Sequence, residues 1–207
     1  MDELIEELKH EGVLKDREML RAFKEVDRKD FVPDYAKAES HENYPLQIGY
    51  GQTISQPFTV AFMLDLLEPK PGEKILDVGS GSGWTTALLA SAVGPSGQVF
   101  GVEVIPELVS FGKNNLSKYD FKHASIAEAG EKLGLPEKAP FDKILVSAAG
   151  RSYPEELVGQ LKIGGIMVIP IKESIWKVKK VSAEETRIEK HEGFVFVPLI
   201  EKPGEET

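Results

Sequence analysis

Lys74-Ile75-Leu76-Asp77-Val78-Gly79-Ser80-Gly81-Ser82-Gly83-Trp84-Thr85-Thr86-Ala87 is the segment from which the architecture follows. It opens with a short apolar run suited to a buried parallel strand. The run ends at Asp77 and passes into glycines at 79, 81 and 83. Residues 85 to 93 then carry the Ala and Leu content of a helix. Strand, glycine turn and helix in succession hold a nucleotide-like ligand at the carboxyl edge of an open α/β sheet. Glycine has no Cβ, so the backbone can turn sharply there and approach a ligand closely.

The rest of the chain repeats that alternation. Helical spacing covers 2–10 and 16–27, with Leu4, Ile5 and Leu8 in one and Met19, Leu20, Phe23 and Val26 in the other. Arg28-Lys29-Asp30-Phe31-Val32-Pro33 stops the second helix, because the residue before a proline disfavours the α region. Residues 58–67 read as a helix, 98–102 as a strand closed by Glu103, 106–117 as a helix and 121–124 as a short strand. Ser125 to Gly134 is polar and helix-prone. A strand over 143–147, a helix over 154–161 and an apolar strand over 166–170 follow. From Ile171 the pattern changes to hairpins, 174–181 and 185–191, with a last strand over 194–197. The final ten or so residues look frayed. The chain therefore predicts an α/β fold: a doubly wound, mostly parallel Rossmann-like sheet with N-terminal helices and an antiparallel C-terminal hairpin. One domain spans 1–207, divided into a helical cap and loop (1–57), a core (58–170) and C-terminal strands (171–200).

Composition narrows the chemistry. The 207 residues contain no cysteine, which excludes disulfides, cysteine nucleophiles and thiolate metal sites. The formal net charge is −9, which argues against a broad nucleic-acid footprint. No apolar run approaches the roughly 20 residues that span a bilayer, and the acidic N-terminus lacks a signal-peptide pattern. The expectation is a cytoplasmic protein, a monomer, with no membrane and no nucleic-acid partner. His10, His41, His123 and His191 are scattered and read as structural or surface residues. No metal site is expected.

Residues 44–57, Tyr-Pro-Leu-Gln-Ile-Gly-Tyr-Gly-Gln-Thr-Ile-Ser-Gln-Pro, form a loop with few charges, two glycines and two prolines. A loop this apolar, placed before the glycine-turn strand, is a candidate lid or pocket wall. Ser55 or Gln56 is suited to cap the helix that Pro57 starts, a role worth about 1 kcal/mol. Glu103 lies about two dozen residues past Gly79, near the place where an acid takes ribose hydroxyls in such folds. The plainer alternative is a surface Glu at a strand end.

These motifs carry a resemblance. The pattern D-x-G-x-G-x-G, Asp77 to Gly83, differs from the dinucleotide fingerprint G-x-G-x-x-G by placing an acid where a phosphate would be repelled. It resembles motif I of the S-adenosylmethionine-dependent methyltransferases. Pro45-Leu46-Gln47-Ile48-Gly49-Tyr50-Gly51-Gln52-Thr53-Ile54-Ser55-Gln56-Pro57 is more specific, and it resembles the signature of the protein-L-isoaspartate O-methyltransferases. The Arg28–Pro33 block, Ala139 to Ile144, Gly164-Gly165, Pro170 and Phe196-Val197-Pro198-Leu199 extend the likeness along nearly the whole chain.

The resemblance implies S-adenosyl-L-methionine as cofactor. It implies methylation of the abnormal α-carboxylate of L-isoaspartyl residues in proteins and peptides, whose ester then cyclises to a succinimide. It implies Ser55 at the substrate carboxylate, and a cofactor site made of Thr53, Ile54, Asp77, Gly79, Ser80, Gly81, Gly83 and Glu103. Three positions depart from the family pattern. Asn43 stands where the family has Asp. Ala124 to Gly130 replaces a Gly-Asp-Gly that holds the adenine, leaving Ser125 or Glu128 for that contact. Ser147-Ala148-Ala149-Gly150-Arg151 replaces Thr-Ala-Ala-Ala-Pro. Two other readings stay open: a relative that methylates a normal aspartate of a dedicated peptide, and a cofactor-binding protein without catalysis.

Overall fold

The computed structural model describes residues 1–199; 200–207, where the frayed tail is expected, lie outside the described residues. Two N-terminal helices, α1 (Asp2–His10) and α2 (Arg17–Glu25), bury the apolar stripes that define them, Leu4, Ile5 and Leu8 against Met19, Ala22 and Phe23. Asp16 caps α2, its carboxylate accepting from the backbone N–H groups of Glu18 (2.9 Å) and Met19 (3.2 Å). Two 3-10 turns, Arg28–Phe31 and Asp34–Glu39, lead on.

Residues 44–57 contain an antiparallel ribbon where the sequence suggests only a loop. Strand β1 (Leu46–Gly49) pairs with β2 (Gln52–Ile54), Leu46 opposite Ile54 and Gln47 opposite Thr53. Its tip turns through Gly49, Tyr50 and Gly51, all at positive φ. Helix α3 (Pro57–Leu67) follows.

The core alternates strand and helix: β3 (Lys74–Val78), α4 (Trp84–Val93), β4 (Gln98–Glu103), α5 (Pro106–Leu116), β5 (Ala124–Glu128), β6 (Phe141–Val146), α6 (Glu155–Gly159) and β7 (Leu161–Ile171). Strands β8 (Ser174–Lys180) and β9 (Thr186–Glu192) complete a seven-stranded sheet of order β5-β4-β3-β6-β7-β8-β9. The first five positions of that order are parallel and the last two pairings antiparallel. Chain order reverses on either side of β3, so a crevice opens past the carboxyl ends of β3, β4 and β6. The apolar cluster around Ile75, Trp84 and Leu88 includes Leu4, Phe23, Ile48 and Val60, so cap, ribbon and sheet share one core.

Three sequence expectations need correction. Strand β5 occupies 124–128, starting where the short strand read over 121–124 ends and running into the segment read as helix-prone; as the outermost strand it buries only Ile126, so no apolar run marks it. Strand β7 starts at Leu161, because Leu161 already pairs with Phe141 and Gly164-Gly165 sit in an irregularity of the strand instead of a turn before it. Residues 194–197 form no strand in the sheet. They fold back over the crevice, where the Ala149 N–H donates to the Val197 carbonyl (2.8 Å) and the Leu199 N–H to the Ala149 carbonyl (2.9 Å).

Candidate active site

The crevice holds a cavity of about 930 Å3 that opens to solvent. Gly79 and Gly81 form its floor at φ of 75° and 49°, a left-handed backbone that only glycine adopts without strain. Ile48, Thr53, Glu103 and Ser147 stand around it, and the segment 129–134 closes the far end. A second groove, about 900 Å3, runs alongside and is lined by Ser55, Gln56, Thr59, Val195, Phe196 and Val197 among others. Thr53 and Ser147 line both spaces, so the two meet there. A small cavity of about 330 Å3 between Thr53, Ile54, Ser55, Ser80 and Trp84 joins the glycine turn to the ribbon.

Glu103 is 7% exposed, and its carboxylate is fixed by the backbone. The Gly81 N–H donates to Oε2 (3.0 Å), and the Val104 (2.8 Å) and Ile105 (3.0 Å) N–H groups donate to Oε1. A carboxylate offers about four acceptor positions, so about one remains for a ligand hydroxyl. That position is on Oε2, and a vicinal diol takes both oxygens only by sharing Oε1 with the Val104 and Ile105 N–H groups.

Asp77 lies behind the glycine turn and is not among the cavity-lining residues. It is wholly buried and accepts from Thr86 Oγ1 (2.6 Å) and Thr85 Oγ1 (2.7 Å), with Ser147 Oγ at 3.5 Å. Burial pushes its carboxyl up to about 6, against the hydrogen bonds from the two threonines and Ser147 that pull it down. Asp77 therefore ties β3, the start of α4 and the loop after β6 into one support. Gly83 likewise serves packing: a Cβ there would lie 2.9 Å from Ile126 Cδ1 and 3.0 Å from the Gly112 carbonyl.

Ser55 is not the cap of α3. The cap position is Gln56, which makes no capping bond. Asn43 does the work from fifteen residues away, its Oδ1 accepting the Phe58 N–H (3.0 Å) while its Nδ2 donates to Glu7 (2.7 Å). The Ser55 hydroxyl makes no hydrogen bond among the described residues and faces a groove with no charged lining residue.

The structure thus gathers Thr53, Ile54, Ser55, Gly79, Ser80, Gly81 and Glu103 around connected spaces. Ser125 and Glu128 fall outside them. Ser125 is exposed beside α5, and Glu128 is exposed at the end of β5 opposite Glu103. The far end belongs to 129–134 instead, which no sequence motif marks. Two of the histidines serve the frame: His41 bridges the N-terminus (2.9 Å) and Asp27 (2.7 Å), and His123 pairs with the Ala90 carbonyl (2.9 Å).

Parallel sheet, switch-point crevice and glycine turn with an acid at the next strand end define a Rossmann-like class that binds a nucleoside-bearing cofactor. A family described as Protein-L-isoaspartate(D-aspartate) O-methyltransferase (PCMT) matches residues 1–204, and the chain belongs to that family. Among its relatives, a Protein-L-isoaspartate O-methyltransferase of Methanopyrus kandleri is 44% identical, covering 98% of this chain and 92% of the relative. One of Pyrococcus horikoshii is 41% identical over 97% and 92%. A crystal structure of a Plasmodium falciparum protein-L-isoaspartate O-methyltransferase in complex with S-adenosyl-L-homocysteine superposes with a TM-score of 0.85 at 26% identity, covering 97% and 98% of the two chains.

Proposed function

We propose that this chain methylates the α-carboxylate of L-isoaspartyl residues in damaged proteins and peptides, drawing the methyl group from S-adenosyl-L-methionine. The observation that carries the reading is the free Ser55 hydroxyl in an uncharged groove that meets the glycine-turn cavity at Thr53 and Ser147. The residues fit the cofactor. Glu103 suits its ribose, and the buried Ser80 Oγ and Trp84 Nε1, unpartnered among the described residues, suit its amino-acid end. When bound, it supplies a methyl group on a positively charged sulfur.

A substrate carboxylate is already ionised at neutral pH, so no general base is needed. The protein's task is alignment, where effective molarity makes large rate gains available. Ser55 donates one hydrogen bond that orients the carboxylate; a neutral donor leaves it more nucleophilic than a contacting cation does. One carboxylate oxygen then bonds to the methyl carbon as the carbon–sulfur bond breaks. A neutral ester and a thioether result.

The test is transfer of labelled methyl from S-adenosylmethionine to an isoaspartyl peptide. The product is expected to be base-labile and to pass to a succinimide, seen as loss of methanol by mass spectrometry. A base-stable product, or none, defeats the reading. Among the described residues no helix is long and apolar enough to cross a membrane. We extend the reading to a single-domain cytoplasmic monomer, supported by an acidic balance that keeps copies apart. Sedimentation at rising concentration and cell fractionation test it.

A further inference from the structure

Arg28 is a charged residue in an unusual place. It is 0% exposed, and its guanidinium serves only main-chain acceptors. Nη1 donates to the carbonyls of Ser40 (3.0 Å) and Glu42 (3.1 Å). Nη2 donates to those of Tyr44 (3.0 Å) and Ser55 (3.1 Å), with the Ile54 carbonyl at 3.5 Å. The planar fork is the one side chain with enough donors for this set. Tyr44 precedes the ribbon, Ile54 ends it and Ser55 follows, so one residue clamps both feet of β1–β2. The guanidinium carbon also lies 5.5 Å from the Trp84 ring centroid, at the start of α4. Arg28 thereby links the backbone of Ser55 to the glycine-turn side of the site.

Its charge has no counter-ion: among the described residues no carboxylate pairs with it, and Nε has no partner. Burial lowers its pKa to about 10, so it stays protonated at neutral pH. Leaving a buried charge uncompensated is costly. The groove in front of it carries no charged lining residue, and the ligand proposed for that groove is an anion.

We propose that Arg28 is a positioning residue for methyl transfer, holding Ser55 by its carbonyl and supplying, from behind that peptide, the positive charge that draws the substrate carboxylate into the groove. This rests on the isoaspartyl reading. Contact with the carboxylate is left to Ser55. The cation acts one peptide group away, where it attracts the anion without bonding to its nucleophilic oxygens.

The experiment compares wild type, Arg28→Lys and Arg28→Gln for turnover of an isoaspartyl peptide, with cofactor affinity by calorimetry and melting temperature measured alongside. Both variants are expected to melt earlier. Arg28→Lys keeps the charge and loses the fork, so kcat should fall about tenfold with KM nearly kept, since small misplacements cost rate. Arg28→Gln should add about a tenfold rise in KM, a loss of roughly one decade in affinity. Cofactor affinity should hold within a factor of about two in each. Lower melting temperatures with wild-type kcat and KM would make Arg28 a stability residue and overturn the proposal.

A second measurement needs no variant. Wild type loaded with S-adenosyl-L-homocysteine is titrated with isoaspartyl and isoasparagine peptides, which differ only in carboxylate against carboxamide. The carboxylate is expected to bind about tenfold more tightly; equal binding overturns the proposal. A wild type that fails to methylate the isoaspartyl peptide defeats the isoaspartyl reading itself, a result distinct from either of these.

Discussion

Asn43 bears on the role proposed for Ser55, because it takes over the capping that local sequence offered to Ser55. Because Asn43 caps α3, the Ser55 hydroxyl is spare, and the two functions separate by mutation. Ser55→Ala should lower kcat by at least about tenfold, with melting temperature and cofactor affinity unchanged. A drop of about 1 kcal/mol in stability with full activity would return Ser55 to a structural role. Asn43→Ala is the converse: urea denaturation should register a loss of about 1 kcal/mol from the missing cap. Neither Asn43 nor Arg28 was legible in the sequence. Arg28 stands in the Arg28–Pro33 block that stops the second helix and extends the family likeness, and nothing in that block marks it as buried; only the return of residues 40–55 around it does so. Asn43 is fifteen positions before the N–H it accepts, beyond any local capping pattern. Ser55 itself was legible only through the family signature, since local physics left its role divided between cap and substrate contact.

The elements fared better where burial is continuous. Strand β3 falls on the apolar run read before the glycine turn, because an apolar run ending in such a turn has few alternatives. Strand β5 lies a few residues beyond the short strand read over 121–124, because an edge strand with one buried residue carries no periodicity to fix its bounds. The link between β3 and α4 also makes a prediction through Asp77. Its carboxyl titrates near 6 when folded, against 3.8 ordinarily. Between those values the native state holds more protons than the unfolded chain, so this group's contribution to stability falls as pH rises from about 4 to 6 and stays low above. Asp77→Asn cannot titrate. Urea unfolding of both proteins at pH 4, 5, 6 and 7 should show wild type losing on the order of 2–3 kcal/mol relative to the variant across that window. A constant offset at all four pH values would place the carboxyl at its ordinary value.

At the scale of the whole molecule, the sheet sets two spaces side by side and leaves selectivity to shape. An isoaspartyl residue and an aspartyl residue carry the same charge, so the roles proposed for Arg28 and Ser55 would attract either. They differ in path: the isoaspartyl chain runs through the side-chain carbon, and its free carboxylate lies one methylene nearer the backbone. Discrimination must come from the groove walls and from main-chain pairing along the peptide. The segment after β9 provides that edge. Ala149 and Leu199 hold it to the core through Val197 and Ala149, while Val195 is 89% exposed and makes no backbone hydrogen bond among the described residues. A peptide lying extended there can add main-chain bonds in the manner of an extra strand, which fixes the register in which its carboxylate meets Ser55. A normal aspartate in the same register holds its carboxylate one methylene too far out. A displacement of that size at the reacting atoms costs on the order of a hundredfold. Matched peptides that differ only at this linkage should therefore separate by about two decades in kcat/KM, and Val195→Pro, which removes one donor from the edge, should narrow the gap. Equal rates on the two isomers would assign the groove to a normal aspartate of a dedicated peptide instead.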